Sequence, residues 1–194
     1  MIKLKEIFGE NRIVGIAGEK NSGKTNNLIS LIVDYRKQNN TTPIYVYGFS
    51  RAVMKVLKDY GVVEVSNLDQ LANKKNVILL LDEYQRLNLN DRRYTEQLNA
   101  FVDFVYHNNV FVVLCSPNIR EFNSIIGSKI ERWVVKSLKI SDCIRGSQLK
   151  TAVMAYKGPY KIINNIVVPL NELLVLNDDK EMVVNCDYVK FADT

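Results

Sequence analysis

Side chains that carry chemistry are scarce in this sequence, with one histidine and three cysteines among 194 residues. Cys115, Cys143 and Cys186 lie far apart and form no C-x-x-C pair, so neither a structural zinc site nor a disulfide framework is suggested. Cys115 ends an apolar run and reads as a buried small hydrophobe, which fits a reducing setting. His107 falls at the end of an expected helix, where a donor or cation is favoured, and receives no chemistry. No apolar run approaches membrane-spanning length, and Met1-Ile2-Lys3-Leu4-Lys5 lacks the apolar core of a signal peptide. A soluble protein without a membrane segment is expected. Internal repeats, low-complexity tails and long linkers are also missing, so 1–194 reads as a single domain large enough for a substantial core.

What the sequence does contain is ordinary in bulk and specific in places. Hydrophobic residues at 47% and charged residues at 24% fit a globular protein. The net charge of +5 allows an anionic partner such as DNA without requiring one, because nucleotide binding alone favours local positive charge.

The most specific stretch is Gly18-Glu19-Lys20-Asn21-Ser22-Gly23-Lys24-Thr25, which fits the phosphate-loop pattern G-x-x-x-x-G-K-[ST]. Its flanks are those the pattern needs. Arg12 to Ala17 is a short apolar run expected as a buried strand. Leu28, Ile29, Leu31, Ile32 and Tyr35 then mark one face of a helix running to about Gln38. Gly18 and Gly23 allow a tight backbone curl, because they carry no Cβ. The curled N–H groups and the positive end of the helix form an anion nest, bounded by Asn26 in the first helical turn. Lys24 is placed to neutralise β- and γ-phosphates, and the Thr25 hydroxyl to take a position on Mg²⁺.

Further along, strands are expected at Ile44–Tyr47, Val62–Val65, Val77–Leu81, Val110–Cys115 and Trp133–Val135. Helices are expected at Arg51–Tyr60, closed by Gly61, at about Asp91–His107 and at Ile119–Ile126, with a brief one around Leu68 and Leu71. This alternation predicts an α/β fold with a mainly parallel central sheet flanked by helices. From about 151 to 194 the texture changes to short Val-, Ile- and Tyr-rich runs broken by Gly158-Pro159, Pro169 and Asn177-Asp178-Asp179, which predicts a C-terminal β-hairpin region packed against the sheet.

The run Val77-Ile78-Leu79-Leu80-Leu81 ends in Asp82-Glu83. An Asp at the carboxyl end of a buried strand can hold Mg²⁺, and the adjacent Glu can polarise an attacking water as general base. The phosphate loop and this acidic pair together point to ATP hydrolysis with Mg²⁺.

The order of features resembles the FtsK–HerA superfamily of DNA-pumping ATPases, which includes viral genome-packaging ATPases and Zot-like proteins. Gly18 to Thr25, Leu79 to Glu83 and the block from Phe101 to Leu138 carry the resemblance, with Ala152 to Pro169 similar to the closing hairpin. It implies a RecA-like P-loop NTPase in which the strand ending at Cys115 is inserted between the loop strand and the acidic strand. Ser116 or Asn118 would then face the γ-phosphate as a polar sensor, although the family usually has Thr-Gln before the proline where this chain has Cys115-Ser116-Pro117. The resemblance also implies a ring of five or six copies completed by an arginine in trans, for which Arg120, Arg132 and Arg145 are candidates. Arg86, Arg92 and Arg93 are placed to face DNA or a neighbour. Double-stranded DNA would be the substrate, a viral capsid or portal component a partner, and the cytoplasm, or a host cytoplasm, the location.

Two other functions share these motifs. Asn21 to Thr25 and Asp82-Glu83-Tyr84-Gln85 are similar to segments of zinc-containing thymidine kinases, whose paired cysteines this chain lacks. A nucleotide-gated switch with slow turnover would need only the binding half of the site.

Overall fold

A computed structural model gives the architecture and describes residues 11–18, 20, 22–84, 94–117, 122 and 124–135, with the backbone of strands at 138–139, 160–163, 166–169, 172–177 and 180–185. Strand β1 (Ile13–Ala17) leads to helix α1 (Lys24–Lys37), then β2 (Ile44–Tyr47), α2 (Arg51–Leu57), β3 (Val62–Glu64) and β4 (Ile78–Leu81). Helix α3 (Tyr94–His107), β5 (Phe111–Ser116), the short α4 (Ser124–Gly127) and β6 (Arg132–Val135) follow. Strands β7 (Leu138–Lys139), β8 (Tyr160–Ile163), β9 (Ile166–Pro169), β10 (Glu172–Asn177) and β11 (Lys180–Asn185) complete the described chain.

One sheet takes the order β11-β10-β6-β1-β5-β4-β2-β3. The six strands from β6 to β3 run parallel, while β10 pairs antiparallel with β6 and β11 antiparallel with β10. The expected RecA-like α/β sheet is therefore present, and the C-terminal hairpin extends its β6 edge. Strands β7, β9 and β8 form a second, antiparallel sheet.

Period-two alternation of apolar side chains divides the core between the two faces of the main sheet. Val14 and Ile16 of β1, Ile78 and Leu80 of β4, and Val113 and Cys115 of β5 pack with Leu28, Ile29 and Ile32 of α1. Ile13, Leu79, Leu81, Val112 and Leu114 point the other way, to Leu98, Phe101, Val102 and Val105 of α3. Each such fully buried aliphatic side chain contributes about 1.5–3 kcal/mol. The central strands therefore hold their register against both helical layers.

Small differences from the sequence reading have local causes. The expected helix over Arg51–Tyr60 is α-helical to Leu57 and then tightens into a 3-10 turn at Lys58–Tyr60, ending at Gly61 with φ 65°. Strand β5 runs one residue beyond Cys115, because Ser116 pairs with Ala17 of β1.

Candidate active site

The carboxyl ends of β1, β5 and β4 lie side by side, with Ala17 opposite Ser116 and Leu81 opposite Leu114. Whatever follows these strands is brought to one edge of the sheet, although the sequence separates the segments widely. After β1, the backbone N–H of Gly18 donates to the Ser116 carbonyl at 3.3 Å, tying the start of the loop to the tip of β5. At the other end of the loop, Gly23 is the N-cap of α1 in a left-handed conformation, φ 86° and ψ 18°. A side chain there would be strained, so glycine is the fitting residue. No described side chain caps this helix start, and no acidic residue lies in its first turn. Its N–H groups and positive dipole end are therefore presented to an anion.

Lys24 opens α1 and is only 8% exposed. Its ammonium donates to the Gly18 carbonyl at 2.7 Å and so lies across the mouth of the loop. The Thr25 hydroxyl donates to Asp82 Oδ2 at 2.6 Å, linking the helix start to the end of β4. Asp82 Oδ1 is buried and has no hydrogen-bond partner among the described residues. Burial raises the Asp82 pKa above its ordinary value, and the Glu83 charge adds to this; the Thr25 bond and the Lys24 ammonium oppose it. A buried carboxylate with one oxygen unanswered is costly, by more than the 1–3 kcal/mol of a neutral group. A cation at that oxygen would relieve the cost.

The donor set fits magnesium. Thr25 and Asp82 would offer it hard oxygen ligands where their side chains meet. Mg²⁺ is usually bound in this sparse manner, by one or two protein oxygens with phosphate oxygens and water.

Glu83 is half-buried and follows directly in a turn with φ 54°. Ser116 is fully buried at the β5 tip, and Cys115 beside it is buried and free. Burial pushes the Cys115 thiol well above its usual pKa, with the Asp82 charge acting in the same direction. Its reading as an unreactive small hydrophobe agrees with that position.

Arg132, expected to act on a neighbouring copy, lies away from the site of its own chain. It opens β6 opposite Val14, toward the amino edge of the sheet, and desolvation there lowers its pKa. Lys20 is exposed, Ser22 and Asn26 are half-buried, and the Ser22 hydroxyl is buried with no hydrogen-bond partner among the described residues. Glu19, Asn21, Arg86, Arg92, Arg93, Asn118, Arg120 and Arg145 lie outside the described residues.

Two features at the site escaped the sequence reading. Gly48, just past β2, has φ 84°, and a Cβ there would lie 2.1 Å from the Asp82 carbonyl oxygen. The signal was a glycine ending the strand beside the acidic one, visible only once the strand order is known. Tyr84 is 2% exposed and stacks on Phe122 at 5.4 Å, and Phe122 meets Trp133 edge-on at 5.0 Å. This aromatic row joins the turn after the acidic pair to β6.

No family model and no curated protein matches the sequence. Solved structures do match. The DNA-packaging ATPase B204 of Sulfolobus turreted icosahedral virus superposes with a TM-score of 0.67 at 13% identity, covering 92% of this chain and 98% of that one. The genome-packaging NTPase B204 of Sulfolobus turreted icosahedral virus 2, in complex with AMPPCP, gives 0.61 at 13% identity, with 92% and 98% covered. ATPases 2 and 3 of EssC from Geobacillus thermodenitrificans give 0.58 at 13% identity, covering 95% of this chain and 41% of that one. At such identities the likeness is one of fold: this chain shares the architecture of these structures over most of its length.

Proposed function

We propose that this chain is a P-loop ATPase that hydrolyses ATP with Mg²⁺ to move or package double-stranded DNA, as viral genome-packaging ATPases do. One observation carries the reading: Thr25 and Asp82 are joined at 2.6 Å beside the buried Lys24, and one buried Asp82 oxygen has no partner among the described residues. A turn that merely ended a strand would have no reason to bury an acid against a phosphate-loop threonine.

In this reading the triphosphate lies in the cradle from Gly18 through Glu19, Lys20, Asn21, Ser22, Gly23, Lys24 and Thr25 to Asn26. Loop N–H groups bind its oxygens, and Lys24 exchanges the Gly18 carbonyl for β- and γ-phosphate oxygens. Thr25 and Asp82 hold Mg²⁺, which when bound supplies positive charge to the phosphate chain. Glu83 takes a proton from water as the water oxygen attacks the γ-phosphorus and the bond to the ADP oxygen breaks. Ser116 or Asn118 serves as the polar sensor. An arginine from a neighbouring copy, among Arg120, Arg132 and Arg145, stabilises charge at the γ-phosphate.

DNA as substrate, a ring of five or six copies, a capsid or portal partner and a cytoplasmic setting draw support from the fold likeness and from the +5 charge. Residues 1–194 then act as one domain, with the β-rich part from about 151 as its extension. No described helix is long and apolar enough to cross a membrane.

The test is phosphate release from ATP and Mg²⁺ with and without double-stranded DNA. DNA-stimulated release is expected. Phosphate transfer to thymidine would favour the kinase reading, and tight ATP binding without turnover the switch.

A further inference from the structure

Four non-glycine residues with positive φ occur among the described residues: Asn39, Asn76, Asn109 and Glu83. Asparagine tolerates the left-handed region, whereas glutamate is strained there by its Cβ. Strain of this kind persists only where the surroundings impose it. The surroundings of Glu83 supply a cause one strand away.

Strands β2 and β4 are paired in parallel through Tyr47 and Leu81. Their hydrogen bonding continues one step further, as the Asp82 N–H donates to the Tyr47 carbonyl at 2.9 Å. At the next residue β2 turns away, with Gly48 at φ 84°. The Asp82 carbonyl comes to rest against the bare Cα of that glycine. A Cβ at position 48 would stand 2.1 Å from the carbonyl oxygen and 3.1 Å from the carbonyl carbon. Both are backbone atoms and cannot swing aside as a side chain tip would.

That carbonyl belongs to the peptide joining Asp82 to Glu83. Its direction sets the tilt of the peptide plane, and the plane sets where the Glu83 side chain leaves the turn. We infer that Gly48 is a positioning residue for Glu83: its missing Cβ gives the Asp82 carbonyl the space that holds the Asp82–Glu83 peptide in its left-handed turn and aims the Glu83 carboxylate. The inference rests on Glu83 being the general base proposed above. The metal-holding half of the site depends on side-chain atoms of Thr25 and Asp82, so a tilt of the following peptide acts first on the base and less on nucleotide binding.

The experiment compares wild type with Gly48→Ala, Gly61→Ala and Glu83→Gln in the 194-residue chain. ATP affinity is read without turnover, and kcat and KM in the steady state with Mg²⁺. Gly48→Ala should lower kcat on the order of a hundredfold, the effect of a misplacement of about 1 Å, with ATP affinity within about threefold of wild type. Gly61→Ala is the control. It places alanine at a similar φ of 65°, but in a position where a Cβ meets nothing within 4 Å. It should keep kcat within about twofold while losing stability to the same backbone strain.

Normal turnover by Gly48→Ala, with Glu83→Gln inactive, overturns the positioning role. Equal losses of kcat in Gly48→Ala and Gly61→Ala overturn it too. Normal turnover by Glu83→Gln instead removes the general-base reading beneath it. Should Gly48→Ala not fold, the crystal structure of wild type with a non-hydrolysable ATP analogue decides. Glu83 at positive φ, with the Asp82 carbonyl against Gly48, is the expected result. Glu83 at negative φ, with the carbonyl away from Gly48, is the refuting one.

Discussion

The Thr25 hydroxyl and the Asp82 carboxylate share a 2.6 Å hydrogen bond, although 57 positions separate them in the chain. Each comes to the bond from the end of a different strand segment. Thr25 follows the loop that leaves β1, and Asp82 follows β4 with β5 lying between. On the function proposed above, Mg²⁺ would lie where these two side chains meet.

Thr25→Val keeps the shape of the residue and removes the oxygen. Wild type should bind ATP more tightly with Mg²⁺ than with a chelator present. The variant should lose about tenfold or more of that gain, the worth of a hydrogen-bonding group to a charged partner. Calorimetry in the two conditions measures the difference. An unchanged magnesium dependence would remove Thr25 from the metal site.

Glu83→Gln retains the size of the side chain but cannot take a proton. ATP affinity should stay within about threefold of wild type, while kcat falls by about 10²–10⁴-fold, the range of general-base contributions. Single-turnover hydrolysis separates the chemical step from product release.

Tyr84→Phe addresses the buried aromatic row. The Tyr84 hydroxyl has no hydrogen-bond partner among the described residues, so its removal should leave the protein as stable or more stable by about 1 kcal/mol at neutral pH. Burial pushes the phenol from 10.0 up to about 12. Between these values the unfolded chain loses the proton while the folded chain keeps it, so wild-type stability falls as pH rises from about 10 to 12. That part of the alkaline loss, on the order of 2 kcal/mol, should be missing from Tyr84→Phe. Tyr106 also lies at about 12, raised by burial and Glu131, but it is common to both proteins and cancels. Denaturant melts across the alkaline range read the difference.

Gly15→Ala tests the packing of β1 against β6. A Cβ at Gly15 would stand 2.8 Å from Ile130 Cδ1 and 2.9 Å from two ring carbons of Trp133. Overpacking of this kind costs about 1–3 kcal/mol, or about 2–4 °C of Tm per kcal/mol in a chain of this size. Trp133 is the one tryptophan in the sequence, so its emission reports the displacement directly. A changed spectrum with an unchanged Tm would show that the ring yields freely, and no change in either would refute the close contact.

Much of the site was legible because its determinants are local. A glycine-bounded loop followed by Lys24 and Thr25 specifies an anion nest wherever a strand precedes it and a helix follows, and both flanks are written in apolar spacing. The buried strands were legible for the same reason, as short apolar runs with turn residues at their ends. Arg132 shows the limit: β6 runs parallel to β1 and carries its first residue toward the far edge of its own sheet, a placement that its position in the sequence after β5 did not disclose.

The sequence by itself determined the glycine-bounded loop pattern, the acidic pair and the alternation of strands and helices, because each depends on residues within one or two turns of each other. Only the tertiary structure decided which strands are neighbours, and with that the bond from Thr25 to Asp82, the row from Tyr84 through Phe122 to Trp133, and the contact of Gly48 with the Asp82 carbonyl. The physical reason is that strand order is set by the packing of two helical layers on one sheet. A close approach between backbones leaves no local trace except the absence of a side chain.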